Sequence, residues 1–233
     1  MPSMTEHRGW NSRGYLPHLD AAETIQHVTF RLHGSLPASV VASLKAGLDG
    51  DGYAAAIEAE LDRGSGPNWL ADSDCATIVA TALREFDGER YDLLAWCVMP
   101  NHVHVLIRQR EGWPLGRIVQ SWKSYTARQI NHRLARRGAF WAADYFDRYV
   151  RNEEQLIGGI RYIEANPVKA GLCARPEDWP FSSASMERGA PAPQHHSRRS
   201  SDLEVRAPTA ANPRLHSHRH ADLEVRAPFN PQR

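Results

Sequence analysis

The sequence predicts an α+β domain, an antiparallel sheet with helices packed on one face, followed by a disordered C-terminal tail. Three observations carry this reading. Stretches rich in strand formers are interleaved with stretches of helical apolar spacing. A Pro-Asn turn signal separates two adjoining strand-like runs. Near residue 185 the composition shifts to Arg, His, Ser, Pro and Ala.

Gln26 to Leu32 (QHVTFRL) alternates and is rich in strand formers. Pro37 to Ala46, Tyr53 to Leu61 and Asp72 to Phe86 read as helices. Tyr91 to Met99 is a buried-strand candidate, Pro100-Asn101 a turn, and His102 to Arg108 a second strand. Pro114 suits the first position of a long helix reaching about Leu134. Phe140 to Val150 reads as a strand, and Glu153 to Asn166 as a last helix stopped by Pro167 and Gly171. This order lies close to a ferredoxin-like domain. Residues 1–185 are expected to form it, with residues 186–233 as the tail. The tail carries Asp202 to Pro208 and repeats it as Asp222 to Pro228, too few copies for a stacked core. Its histidines read as solvated rather than as a metal site.

Net charge is only +1, so a nucleic-acid partner must be argued from local charge. Three isolated cysteines with no CxxC pair argue against a zinc-cysteine site and against a disulfide framework. The polar N-terminus lacks a signal-peptide pattern. The most apolar stretch, Leu93 to Ile107, is too short and too polar to span a bilayer. A cytoplasmic protein is expected, without a membrane partner.

Chemistry concentrates in two places. On a strand, residues i and i+2 point the same way, so His102 and His104 share one face while Val103, Val105 and Ile107 share the other. Two imidazoles side by side can hold one divalent cation, or can be polar residues on an open sheet face. On the last helix, Leu156, Ile160 and Ile163 form the core stripe; Tyr162 lies off it, with Asn166 four residues on. A tyrosine hydroxyl can attack a phosphodiester, and an amide oxygen suits magnesium or manganese. An ordinary surface Tyr and a helix-ending Asn are the alternative. Gly158 and Gly159 each cost about 1 kcal/mol in a helix interior, tolerable where another backbone or a DNA strand must come close. Tyr125, next to the apolar stripe of the long helix, is a rival nucleophile whose expected role is core packing.

From Arg108 to Arg151 the chain is locally basic, with Arg108, Lys123, Arg128, Arg148 and Arg151 among the cations and Trp113, Trp122, Trp141, Tyr145 and Phe146 between them. Cations track phosphates and rings stack on bases, so this stretch is the expected DNA surface. The bland alternative is the solvated face of a helix.

Together these pieces resemble the REP-associated tyrosine transposases, a branch of the single-tyrosine HUH transposases. The resemblance rests on RGYLPH (13–18), HVTFRL (27–32), MPNHVHVLI (99–107), SWKSYT (121–126), DYFDR (144–148) and YIEANPVKAGL (162–172). It implies His102 and His104 as metal ligands, Asn166 as the third ligand, Tyr162 as the catalytic tyrosine, and Mg2+ or Mn2+. It also implies cleavage of single-stranded DNA beside a palindromic hairpin, through a 5′-phosphotyrosine. Arg13 and Tyr15 are assigned to base contacts by the resemblance alone. A monomer or homodimer associated with the nucleoid is expected. A domesticated protein that binds palindromes without cutting them is the alternative. A hydrolase unrelated to DNA would want further ligands near His104.

Overall fold

The structure, a computed structural model, describes residues 7, 9–12, 17–47, 50–64 and 66–188. The expected tail beyond Arg188 and the candidates Arg13 and Tyr15 lie outside the described residues. The strands are β1 (Gly9–Ser12), β2 (Pro17–Asp20), β3 (Ile25–Arg31), β4 (Tyr91–Val98), β5 (His102–Gln109) and β6 (Phe146–Val150). The helices are α1 (Ala38–Gly47), α2 (Gly50–Asp62), α3 (Ser73–Arg84), α4 (Leu115–Arg133) and α5 (Glu153–Lys169). β1 and β2 pair as a separate hairpin, which the sequence did not announce. The main sheet has the order β4-β5-β3-β6, every neighbour antiparallel. From β3 onward this is the ferredoxin-like arrangement.

Alternation along β5 sets the layers. Val103, Val105 and Ile107 face a large core with Val28 and Phe30 of β3, Val79 and Leu83 of α3, and Ile118, Val119 and Trp122 of α4. These are the helices expected on one face. The structure adds helices to the other. Leu106 joins Ala95 and Cys97 of β4, and Met99 just after it, in a second cluster with Ile163 of α5. Ile57 and Leu61 of α2 pack with Leu36, Val41 and Phe146. The second face is apolar enough at Ala95, Cys97 and Leu106 to demand cover, so it is not the open polar face that alternation alone allows. Among the described residues no helix is long and apolar enough to cross a membrane.

Three further differences have local causes. α5 runs through Pro167 to Lys169 instead of stopping before the proline. Proline removes the bond to the carbonyl four residues back, and here that loss falls in the last turns, where it disturbs little. Gly171, with φ of 70°, then ends the helix as Leu172 N–H donates to the Pro167 carbonyl at 2.8 Å. The strand expected from Phe140 begins only at Phe146. Upstream, the carbonyls of Ala142, Ala143 and Asp144 turn toward Lys123 Nζ, at 2.8, 2.8 and 3.4 Å. Lys123 is therefore a buried clasp, and its assignment to the DNA surface is corrected. The rings of Trp122, Trp141 and Tyr145 are likewise in the core rather than on a stacking surface.

Asp20 fastens the N-terminal hairpin to α4. Its buried carboxylate accepts from Leu115 N–H at the helix start and from Gln109 Nε2, both at 3.0 Å. A carboxylate at a helix N-terminus also meets the favourable end of the dipole. Asp20→Ala strands both donors, so it should lower unfolding free energy by about 2–4 kcal/mol, read as a fall in urea midpoint at unchanged slope. A change below about 0.5 kcal/mol would mean water satisfies those donors.

Candidate active site

β5 delivers His102 and His104 fully buried beneath α2 and α5. The Asn101 amide is oriented first: its Nδ2 donates to the Leu61 carbonyl at 2.9 Å, which turns Oδ1 toward His102 Nδ1, 2.6 Å away. An amide oxygen only accepts, so His102 Nδ1 carries the proton and Nε2 presents its lone pair. That Nε2 lies 2.9 Å from His104 Nε2. The other nitrogen of His104 meets Thr29 Oγ1 at 3.0 Å and His27 Nε2 at 3.3 Å, because Thr29 stands directly opposite His104 in the β3–β5 register.

α5 brings the tyrosine over this pair. The Tyr162 ring stands edge-on to His104 and His27, with centroids 5.8 and 5.9 Å away. Its hydroxyl donates to Glu58 Oε2 at 2.8 Å. One turn on, Asn166 is buried and its Nδ2 donates to the Tyr162 carbonyl at 3.3 Å. Asn166 Oδ1 is buried with no hydrogen-bond partner among the described residues. Two converging imidazole nitrogens suit a cation, and the unmet buried acceptor one turn beyond Tyr162 is an oxygen still open to one. The 2.9 Å separation of the Nε2 atoms is close to the about 3 Å expected between adjacent ligands of an octahedral ion with bonds of about 2.1 Å. A second grouping shares His104: ligand atoms of His27, Glu58 and His104 all lie within 4.8 Å of one another.

Burial governs the charges. It pulls His27 and His102 down to about 4, helped at His27 by the Arg148 charge and partly offset at His102 by Asp62. His104 is held well below its ordinary value by burial and then by its two histidine neighbours. The imidazoles are thus neutral, the form that binds metal. Burial raises Glu58, against the hydrogen bond from Tyr162, and raises Tyr162, reinforced by the Glu58 charge.

Sequence reasoning named His102, His104, Tyr162 and Asn166; the structure sets His102 against His104 and the Tyr162 ring against His104, with Asn166 buried one turn further along α5. It missed His27 and Glu58. His27 had a signal, since it precedes Thr29 at i+2 as His102 precedes His104. Glu58 had none, being one of several carboxylates on a helix. The basic stretch disperses. Arg108 and Arg110 bracket Asp92, and Arg133 bonds Asp74. Arg128 is exposed on α4, across the sheet from the histidines. Arg148 is exposed on β6 opposite His27, hence on the histidine face, and Arg151 is exposed where the chain enters α5. Tyr125 is 44% exposed on α4. Its packing role is therefore corrected, and as a rival nucleophile it is on the wrong face.

The neutral imidazoles predict a pH dependence. Unfolded histidine binds its proton near 6.5, whereas folded His27 and His102 bind theirs near 4. Between those values the unfolded chain holds more protons, so stability is full above about 6.5 and falls as pH drops toward about 4. Glu58, raised on folding, works the other way, but one carboxyl faces three imidazoles. Urea midpoints in chelator should decline over that window, and a flat profile would exclude buried neutral histidines.

Residues 70–166 match the family described as "Transposase IS200 like". The REP-associated tyrosine transposase of Escherichia coli K12 is 28% identical over 93 residues, 40% of this chain. A relative of that designation from Haemophilus influenzae is 27% identical over 103 residues, again 40% of this chain. The chain spans 54% and 58% of the lengths of these two relatives. A solved structure of a REP-associated tyrosine transposase bound to a REP hairpin is 18% identical, with a TM-score of 0.48 over 71% of this chain and 79% of that one. The stretch from residue 70 to residue 166 that matches the IS200-like transposase family holds His102, His104, Tyr162 and Asn166.

Proposed function

We propose that this protein is a single-tyrosine endonuclease and strand transferase acting on single-stranded or hairpin DNA at palindromic repeats, with magnesium or manganese as cofactor. One observation carries the reading: the Tyr162 ring stands against His104, whose Nε2 meets that of His102, while one turn further along α5 the buried Asn166 amide oxygen has no partner among the described residues. His102, His104 and Asn166 would hold the ion, which when bound withdraws negative charge from a phosphate oxygen in the transition state.

The chain's own groups do the rest. Tyr162 Oη attacks phosphorus, forming a P–O bond as the bond to the 3′ oxygen breaks. The products are a 5′-phosphotyrosine and a free 3′-OH. A second 3′-OH can reverse the step on another strand, so joining needs no nucleotide energy source. The proposed DNA path follows the histidine face, past Arg148 and Arg151, and over Gly158. A Cβ at Gly158 would meet nothing within 4 Å, so packing does not account for that glycine. Arg108 and Arg128 are secondary candidates, one engaged by Asp92 and the other across the sheet.

Tyr162→Phe should abolish cleavage and the covalent adduct on a denaturing gel with labelled hairpin DNA and manganese, with binding nearly intact. Tyr125→Phe should cleave normally; the reverse pattern would move the nucleophile to α4. Arg148→Ala should weaken hairpin binding and reduce the slope of log K against log salt by about 1, while Arg128→Ala changes little. Equal losses for both would put the DNA on the α4 face.

A further inference from the structure

We infer that Glu58 is a positioning residue for the nucleophile: α2, which precedes the matched transposase domain, supplies the hydrogen-bond acceptor that holds the Tyr162 hydroxyl over the histidines. This rests on the reading of Tyr162 as the nucleophile and adds a residue from a separate part of the chain.

The geometry divides the two carboxylate oxygens. Oε2 accepts from Tyr162 Oη at 2.8 Å, while Oε1 lies 4.0 Å from His104 Nδ1. A phenol that donates its one proton to a fixed acceptor has its rotation about the C–O bond set, and its lone pairs remain available to a phosphorus atom. An in-line attack depends on such alignment, and a displacement of about 1 Å can cost about a hundredfold in rate.

A positioning group must itself be held, and α2 is held at several points. Ile57 and Leu61 are buried against Leu36 and Phe146. The Leu61 carbonyl accepts from Asn101, the residue that orients His102. Asp62, one turn after Glu58, accepts from Lys169 Nζ at 2.8 Å. Glu58 and Asp62 thus meet Tyr162 and Lys169, which are two turns apart on α5. The same wall that fixes the His102 tautomer therefore fixes the tyrosine.

Two nearly isosteric variants test reach against charge without opening a large cavity. Glu58→Gln keeps the chain length and an acceptor oxygen but removes the charge. Glu58→Asp keeps the charge and withdraws the acceptor by one methylene. Single-turnover cleavage of a labelled hairpin at saturating protein should stay within about threefold of wild type for Gln and fall roughly 10–100-fold for Asp. Hairpin affinity and melting temperature should be unchanged in both. The opposite order of rates, or equal rates in all three proteins, overturns the inference; so does a loss of affinity that accounts for the slower cleavage. Tyr162→Phe run beside them separates the two readings. If it keeps the adduct, the assignment of the nucleophile fails. If it loses the adduct while Gln is the slower Glu58 variant, only the positioning role fails.

Discussion

The site depends on one constraint: β5 is buried on both faces. A one-residue slip makes every side chain of a strand exchange faces, and it is cheap only where neither face is committed to a core. Here a slip would drive His102 and His104 into the core lined by Val79, Ile118 and Trp122, and would put Val103 and Val105 under α5. Each strand face has its own partner layer, so the register that sets Thr29 opposite His104 has no near competitor. The meeting of the two imidazole nitrogens follows from that register and from the turn residue Asn101.

Burial also settles the protonation state. Water would leave these histidines titrating close to neutrality, whereas the enclosed sheet face keeps them neutral well into the acid range. The same enclosure opposes ionisation of Tyr162. The phenol is therefore held protonated, its hydroxyl hydrogen-bonded rather than a standing tyrosinate. A carboxylate from a helix outside the matched domain gives it a fixed direction.

Much of this was legible in the sequence where a local period carries the information. The two-residue repeat of a strand paired His102 with His104, and the four-residue helical repeat paired Tyr162 with Asn166. Information that depends on which way a side chain finally turns was not legible. Lys123 reads as a surface cation, yet three backbone carbonyls draw its ammonium inward. Tyr125 reads as core, yet on a helix each step turns by about 100°, and it falls just outside the stripe marked by Trp122 and Thr126. Glu58 is 104 residues from the hydroxyl it accepts from, and no spacing rule spans such a gap. The antiparallel sheet was recovered because hairpins are local. The cover on its second face was not, since α2 and α5 reach it from distant parts of the chain.

α5 is unevenly stiff. Its C-terminal half is pinned by buried Ile163, Asn166 and Pro167, whereas Ile157 and Gly158 are exposed and two adjacent glycines weaken the half before Tyr162. Backbone amides should exchange with solvent along a gradient, fastest before Ile160 and slowest near Ile163. A pull on the Tyr162 side chain would then be absorbed toward the N-terminal side. The amide oxygen one turn beyond stays where it is, so the helix works as a spring on one side of the tyrosine and an anchor on the other.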